Sequence, residues 1–278
     1  MAPFRRILLA LDLREGTRSL VEAGVYLAKH LGPELILFHA VPEIKGSPFD
    51  PADLQREASL RLDEAKGAIL REGPFIVRTL ISMGPSLKRI VEAAEQQEAD
   101  AIVIGSGLKE PGEKFQLGVT AEQIIRYSQR PVWLVKSGSS LEVDGILCPV
   151  DFSDHSRLAL EYALSLARTF KVEVTVLNVV EQLSNVYPGR PLVQPHEQGS
   201  YKAEQQEEFD RFLASFNFDG VSARHLLLQG VPHEEILNFI RERGCHLIVM
   251  GSEGKTGLTR LILGSVAEKV TREVPCSV

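Results

Sequence analysis

Arg6-Ile7-Leu8-Leu9-Ala10-Leu11-Asp12 and Gly145-Ile146-Leu147-Cys148-Pro149-Val150-Asp151 are two versions of one phrase, 139 residues apart. Each is a short apolar run closed by an aspartate, the pattern of a strand buried on both faces of a parallel sheet. Two later blocks repeat in the same order at an offset of 146. Ser82-Met83-Gly84 followed by Ile90 matches Leu228-Gln229-Gly230 followed by Ile236. Asp100-Ala101-Ile102-Val103-Ile104-Gly105-Ser106 matches His246-Leu247-Ile248-Val249-Met250-Gly251-Ser252. Ordered matches at a nearly constant offset mark an internal duplication. The seven residues by which the offset grows fall between Asp151 and Gly230, and the Pro- and Gly-containing stretch Leu183–Ser200 is the natural place for them.

Around these blocks each copy alternates strand and helix. In the first, Arg5–Asp12 and Leu35–Val41 read as strands, and between them Leu20, Ala23, Gly24, Leu27, Ala28 and Leu31 recur at helical spacing. Further helices are expected near Ala52–Arg71, Ser86–Gln97 and Val119–Ser128, with strands near Phe75–Ser82, Ala101–Gly105 and Val132–Lys136. The second copy repeats this order from Gly145. The alternation predicts an α/β protein of two tandem open parallel-sheet domains, with helices on both faces and right-handed crossovers. One domain is expected over 1–138 and the other over 144–278, with the polar stretch Lys136–Ser140 as linker. Pro131 opens a strand of five further residues, but its counterpart Pro275 is followed only by Cys276, Ser277 and Val278. The last strand of the second copy is therefore expected to be short, through a truncated chain or a weak strand.

The 278 residues suit two domains, each large enough to bury a core without disulfides or metals. The hydrophobic share of 44% and charged share of 24% are ordinary for a globular protein. A formal net charge of −6 gives no basic footprint for nucleic acid or an anionic membrane. No apolar run approaches the ~20 residues of a membrane-spanning helix, and Met1–Asp12 lacks a signal-peptide cleavage pattern. Cys148, Cys245 and Cys276 form no C-x-x-C, which favours free thiols in a reducing cytoplasm over a disulfide framework or zinc site.

Open α/β sheets bind ligands beyond the carboxyl ends of their strands. Two such ends in the second copy carry chemistry. One is Asp151, preceded by Pro149 and Val150. The other is the loop after Met250, Gly251-Ser252-Glu253-Gly254-Lys255-Thr256-Gly257, which runs on to Gly264-Ser265-Val266-Ala267. It is about twice the usual 2–6 residues of a strand-to-helix connection. Gly251, Gly254 and Gly264 allow positive φ and close backbone approach to an anion. Ser265 falls where the next helix begins, so its hydroxyl and the first-turn N–H groups can donate to phosphate, with the dipole adding about 0.3–1 kcal/mol. Lys255 and Arg260 outweigh Glu253 in charge. Gly254-Lys255-Thr256 looks like the end of a Walker P-loop, but that motif needs a glycine where Val249 stands in a strand. A plainer alternative is that the glycines only turn the chain and Ser265 only caps a helix.

Gly251-x2-Gly254-x9-Gly264-Ser265 resembles the ATP-binding signature of the universal stress protein family. Asp151 resembles that family's adenine-side aspartate, and Gly230-Val231-Pro232-His233-Glu234-Glu235-Ile236 is similar to its strand-to-helix junction. The resemblance covers essentially the whole chain, twice. It implies Rossmann-like, adenine-nucleotide alpha-hydrolase-like domains packed as a pseudo-dimer, with a homodimer as a further assembly. It implies that Pro149, Val150 and Asp151 flank the adenine or ribose and that Val179 offers backbone groups to the adenine edge. Met250 and Gly251 through Gly257 would wrap ribose and phosphates, and Gly264, Ser265, Val266 and Ala267 would supply donors at the helix start. A Mg²⁺ or Mn²⁺ would sit on the phosphate oxygens rather than on protein ligands.

The first copy departs from the signature. Its loop reads Gly105-x2-Leu108-x9-Gly118-Val119. Leu108 replaces a glycine, at roughly 1–2 kcal/mol if left-handed geometry is required. Val119 removes the hydroxyl, and Glu110 and Glu113 cancel Lys109 and Lys114. Asp12 is retained, and Ala40 stands where Val179 does. The first copy is expected to bind ATP weakly or not at all, against the alternative that Gly105, Gly107, Gly112 and Gly118 still hold some ligand.

Other residues read more plainly. His233, Glu234 and Glu235 suit a solvated first helical turn, Cys148 a buried small hydrophobe, Glu204–Glu208 a polar helix face, and Trp133 a packing residue. The resemblance implies a cytoplasmic, stress-responsive ATP-binding regulator. No carboxylate or imidazole has a clear claim as a base for water, Glu253 being the local carboxylate of the loop. The alternatives are a slow ATPase or nucleotide-dependent transferase at the same site, and a nucleotide-dependent switch controlling a protein partner.

Overall fold

β1 (Arg6–Ala10) is apolar at every position after the first and is hydrogen-bonded on both sides, to β2 (Glu34–Val41) and to β4 (Ala101–Gly105). With β3 (Val77–Met83) and β5 (Val132–Val135) the order across this sheet is β3-β2-β1-β4-β5, all parallel. The computed structural model describes residues 4–14, 17–43, 50–107, 117–136, 141–181, 195–254 and 263–278. The crossovers of the first sheet are α1 (Thr17–Leu31), α2 (Pro51–Leu70), α3 (Ser86–Gln96) and α4 (Val119–Tyr127). α1 buries Leu20, Ala23, Gly24, Leu27, Ala28 and Leu31, the residues whose spacing marks it as a helix. Gly24 lets α1 close on the sheet, because a Cβ there would lie 2.7 Å from Leu9 Cδ2. Asp50 caps α2 by accepting from the Ala52 N–H, with Pro51 as its first residue.

The second sheet repeats the pattern. β6 (Gly145–Pro149) lies between β7 (Glu173–Val180) and β9 (Leu247–Ile248), with β8 (Ala223–Gln229) outside β7, all parallel. Its helices are α5 (Asp154–Phe170), α6 (Pro195–Leu213), α7 (Pro232–Arg243) and α8 (Ser265–Glu273). Both sheets are Rossmann-like, as the strand–helix alternation predicts. The chain divides into two compact units, Met1–Glu142 with Pro275–Val278, and Val143–Val274. No helix among the described residues is long and apolar enough to cross a membrane.

Two details differ from the duplicated pattern. β9 holds only Leu247 and Ile248, followed by one more bond from the Val249 N–H to Leu147 O at 2.9 Å. The next bond in a parallel ladder would come from residue 149, and Pro149 has no N–H to donate. The segment Pro275–Val278 adds no strand to the second sheet among the described residues. Val278 instead exchanges both backbone hydrogen bonds with Leu134 of β5, at 2.7 and 3.1 Å, within the first unit. An edge strand offers a row of unpaired N–H and C=O groups, and this segment takes up part of that row.

The amino-terminal rim of the first sheet is ionic. Glu34 accepts from Arg6 at 3.1 Å and also from Arg78. Burial acts to raise the Glu34 carboxyl, but the hydrogen bonds from Arg78 and Arg6 and their charges outweigh it, holding the group below its ordinary range. A carboxylate depressed in this way contributes fully at neutral pH and loses its contribution as pH falls through the folded-state value. Glu34→Gln is expected to cost about 1–2 kcal/mol in urea unfolding at pH 7. The difference from the parent chain should shrink on acidification below the usual carboxylate range.

Candidate functional site

β6 is flanked by β7 and β9, so the strand order reverses at its carboxyl end and the connections on either side diverge, opening a crevice. The exits of β6 and β7 are locked together. The Val150 N–H donates to Leu177 O at 2.9 Å, and Asn178 Nδ2 donates to Val150 O at 2.8 Å. Asp151 then opens a tight turn. Its Oδ1 accepts from the Ser153 N–H at 3.1 Å and from the Ser153 hydroxyl at 2.5 Å, while Phe152 between them has φ +66°. The Ser153 hydroxyl in turn accepts from the Ser156 N–H at 3.2 Å and so caps α5.

This turn sets the other carboxylate oxygen of Asp151 against the glycine loop. A Cβ on Gly254 would lie 2.8 Å from Asp151 Oδ2. A Cβ on Gly251 would lie 2.9 Å from His155 Cβ and 3.0 Å from the His155 carbonyl carbon. The base of the loop is closed by the Gly264 N–H donating to Ser252 O at 2.8 Å, and a Cβ on Gly264 would meet that oxygen at 3.3 Å. None of these three glycines has a positive φ. They are required for close approach, so the cost of a side chain here is steric rather than a left-handed backbone penalty. Glu253 Oε2 lies 3.8 Å from His155 Nε2.

Ser265 is the first residue of α8 and is exposed; Val266 is half-buried and Ala267 buried. No side chain caps α8 at Gly264, and the first N–H groups of any α-helix have no intrahelical acceptor. Pro149 and Val150 are buried, and Val179 and Met250 are half-buried at the ends of their strands. The structure thus brings Asp151, Gly251, Ser252, Glu253, Gly254 and Gly264 together at one crevice. Lys255, Thr256 and Gly257 lie outside the described residues.

The first unit builds the same scaffold. The Leu11 N–H donates to Phe38 O at 2.8 Å, His39 Nδ1 bonds Leu11 O at 2.7 Å, and Asp12 Oδ1 accepts from the Arg14 N–H at 3.1 Å. Leu13 has φ +58°, matching Phe152, and the Gly118 N–H donates to Ser106 O at 3.1 Å, matching Gly264. What differs is chemistry on that scaffold. Val119 stands in the place of Ser265 and is 73% exposed, an apolar side chain where the second copy presents a hydroxyl. Leu108 lies outside the described residues.

Sequence reasoning passes over Asn178 and His39. The signal was available, a polar residue at the same offset in both copies of an otherwise apolar strand, but only the structure gives it a partner. Asn178 is 6% exposed. Its amide nitrogen must face the Val150 carbonyl, since an amide oxygen there would find no donor.

The chain matches the sequence pattern of the universal stress protein family over residues 3–136 and again over 143–278. It belongs to that family, as a tandem of two copies. A universal stress protein of Methanocaldococcus jannaschii is 35% identical over 152 residues, 52% of this chain and 85% of that protein. Universal stress protein E of Salmonella typhi is 21% identical and spans 99% of this chain and 93% of its own length. The crystal structure of a universal stress protein from Archaeoglobus fulgidus superposes with a TM-score of 0.78 at 24% identity, covering 99% of this chain and 97% of that one, which establishes the shared two-copy fold.

The glycine geometry gives a stability test. Gly251→Ala is expected to cost about 1–3 kcal/mol in urea unfolding, because backbone atoms of α5 must move. Gly145→Ala, with nothing within 4 Å of its Cβ, should be neutral or slightly stabilising.

Proposed function

We propose that the protein is an ATP-binding regulator that takes up nucleotide mainly at the crevice of the second unit. The observation that carries this reading is the juxtaposition of Asp151 Oδ2 with Gly254, in a loop whose base closes on the start of α8. In this reading Asp151 accepts from the ribose hydroxyls or base, and the backbone at Val150 and Val179 borders the adenine. The loop from Gly251 to Gly257 follows the phosphates. Ser265 and the N–H groups of the first turn of α8 hold the terminal phosphate oxygens. Among the described residues no group of three His, Cys, Asp or Glu side chains could hold a metal. A Mg²⁺ or Mn²⁺ would arrive on the nucleotide and remain on its phosphate oxygens.

Binding without turnover fits the carboxylates present. Asp151 Oδ1 is engaged by Ser153, and Glu253 faces His155. Neither is placed as a base for an attacking water. The first unit keeps the turn and the loop closure but has Val119 for Ser265, which supports a weak or vestigial site there. Cytoplasmic, stress-linked regulation is the role suggested by family membership.

A second reading, a nucleotide-dependent switch acting on a protein partner, is favoured by Phe152. Its ring lies 5.3 Å from Phe212 and 6.0 Å from Phe209, both on α6. The residue after Asp151 therefore ties the crevice to a helix outside it.

Titration calorimetry with Mg-ATP tests the assignment. Ser265→Val is expected to weaken binding about 10- to 100-fold through loss of a hydrogen bond to a charged oxygen. Asp151→Ala is expected to weaken it comparably. Unchanged affinity in both variants would overturn the site, and phosphate release well above background would favour an enzyme.

A further inference from the structure

The hydrogen-bond ladder between β6 and β7 breaks off one step early. Alternate residues of a parallel strand direct both backbone groups to the same neighbour. The Val174 N–H donates to Ser222 O at 2.9 Å and Val180 O accepts from the Gly230 N–H at 3.1 Å, so the even-numbered residues of β7 serve β8. Leu177 O accepts from the Val150 N–H at 2.9 Å, so Leu177 and Val179 face β6. In a regular ladder the next bond would run from the Val179 N–H to Val150 O and would pair Val150 with Asn178. The pairing instead stops at Pro149 and Leu177, and among the described residues no bond joins the Val179 N–H to Val150 O. That carbonyl is taken by Asn178 Nδ2 at 2.8 Å.

The first unit makes the same exchange with a different side chain. β1 and β2 pair as far as Ala10 and Phe38, and the Leu11 N–H donates to Phe38 O at 2.8 Å. Leu11 O then bonds His39 Nδ1 at 2.7 Å, where a regular ladder would bring the Ala40 N–H. A carbonyl only accepts, so His39 carries a proton on Nδ1. An amide in one copy and an imidazole in the other share one property, a side-chain donor within reach of this carbonyl. The polar choice costs stability at Asn178, whose Oδ1 is buried without a hydrogen-bond partner. A valine there would suit the strand better and would leave Val150 O to the Val179 N–H.

We propose that Asn178 is a positioning residue that sets base specificity: by occupying Val150 O it keeps the Val179 N–H out of the sheet, turned to the crevice as a donor. Such a donor accepts a base whose facing ring nitrogen has a lone pair, as N1 of adenine has. It opposes a base that carries a hydrogen there, as hypoxanthine and guanine do, because donor then meets donor. This role rests on nucleotide binding at the crevice; the exchange of hydrogen bonds stands without it.

Amide hydrogen exchange and titration calorimetry on the full chain test the role. In the parent the Val179 amide is expected to exchange about 10-fold faster than that of Leu177, which lies inside the ladder, each corrected for its intrinsic rate. This contrast needs no variant. In Asn178→Val the Val179 N–H is expected to bond Val150 O, which raises its protection about 10-fold. The parent is expected to bind Mg-ATP about 10- to 100-fold more tightly than the magnesium complex of inosine triphosphate. Asn178→Val should bring that ratio close to one with inorganic tripolyphosphate binding unchanged, and Asn178→His should restore it. A parent that binds neither nucleotide would overturn the nucleotide reading and this role with it. ATP binding without preference over inosine triphosphate, a preference retained in Asn178→Val, equal weakening of all three ligands, or a Val179 amide as protected as that of Leu177 would each overturn the role of Asn178 alone.

Discussion

A central parallel strand hydrogen-bonded on both sides forces the chain to leave its neighbours in opposite directions, and the functional architecture of this protein depends on that constraint. β6 has β7 on one flank and β9 on the other, and β1 has β2 and β4. The crevice above each central strand is thus a consequence of strand order, before any side chain is chosen. What the sequence adds is a turn that stays close to the sheet. Aspartate bonds the residue two positions on, and the residue between them takes a left-handed backbone, Leu13 in one copy and Phe152 in the other. Neither is a glycine, and a left-handed bulky residue is held only where its surroundings over-determine it. The aspartate bond and the packing of Phe152 on Phe209 and Phe212 provide that restraint in the second copy.

The two units share a scaffold and differ in what they display on it. Both lock the exit of the central strand to its neighbour, and both close the base of the long loop by a bond from the glycine just before a helix to a serine carbonyl beyond the preceding strand. A hydroxyl at the start of α8 against an exposed valine at the start of α4 is a difference in chemistry with no evident cost to the fold. Duplication allows such divergence, since one copy can keep a ligand's donors while the other retains the architecture alone.

Much of this was legible in the residues. The apolar phrase ending in Asp12 and again in Asp151 identified the central strands, and the spacing of Leu20, Ala23, Leu27 and Leu31 gave the buried face of α1. Both signals come from burial, which periodicity reports directly. The pairing of Val278 with Leu134 was not legible, because backbone bonds between distant segments leave no periodic trace. The shortness of β9 has its cause in another strand, at Pro149, and becomes visible only once the register is known. The reason for the glycines was half legible: spacing located them, but only coordinates show Gly254 facing a carboxylate and Gly251 facing the backbone of α5. Lys136 reads as the polar end of a strand, yet the structure buries it.

The two crevices differ in the donors they present to a nucleotide, Ser265 in one against Val119 in the other. Native mass spectrometry of the full chain with increasing Mg-ATP tests it most directly, because it counts nucleotides on each molecule. One tightly held nucleotide per chain, lost in Ser265→Val and retained when Val119 is changed, is the predicted result. Two nucleotides bound with equal affinity, or one that survives Ser265→Val and disappears when the first unit is altered, would contradict it.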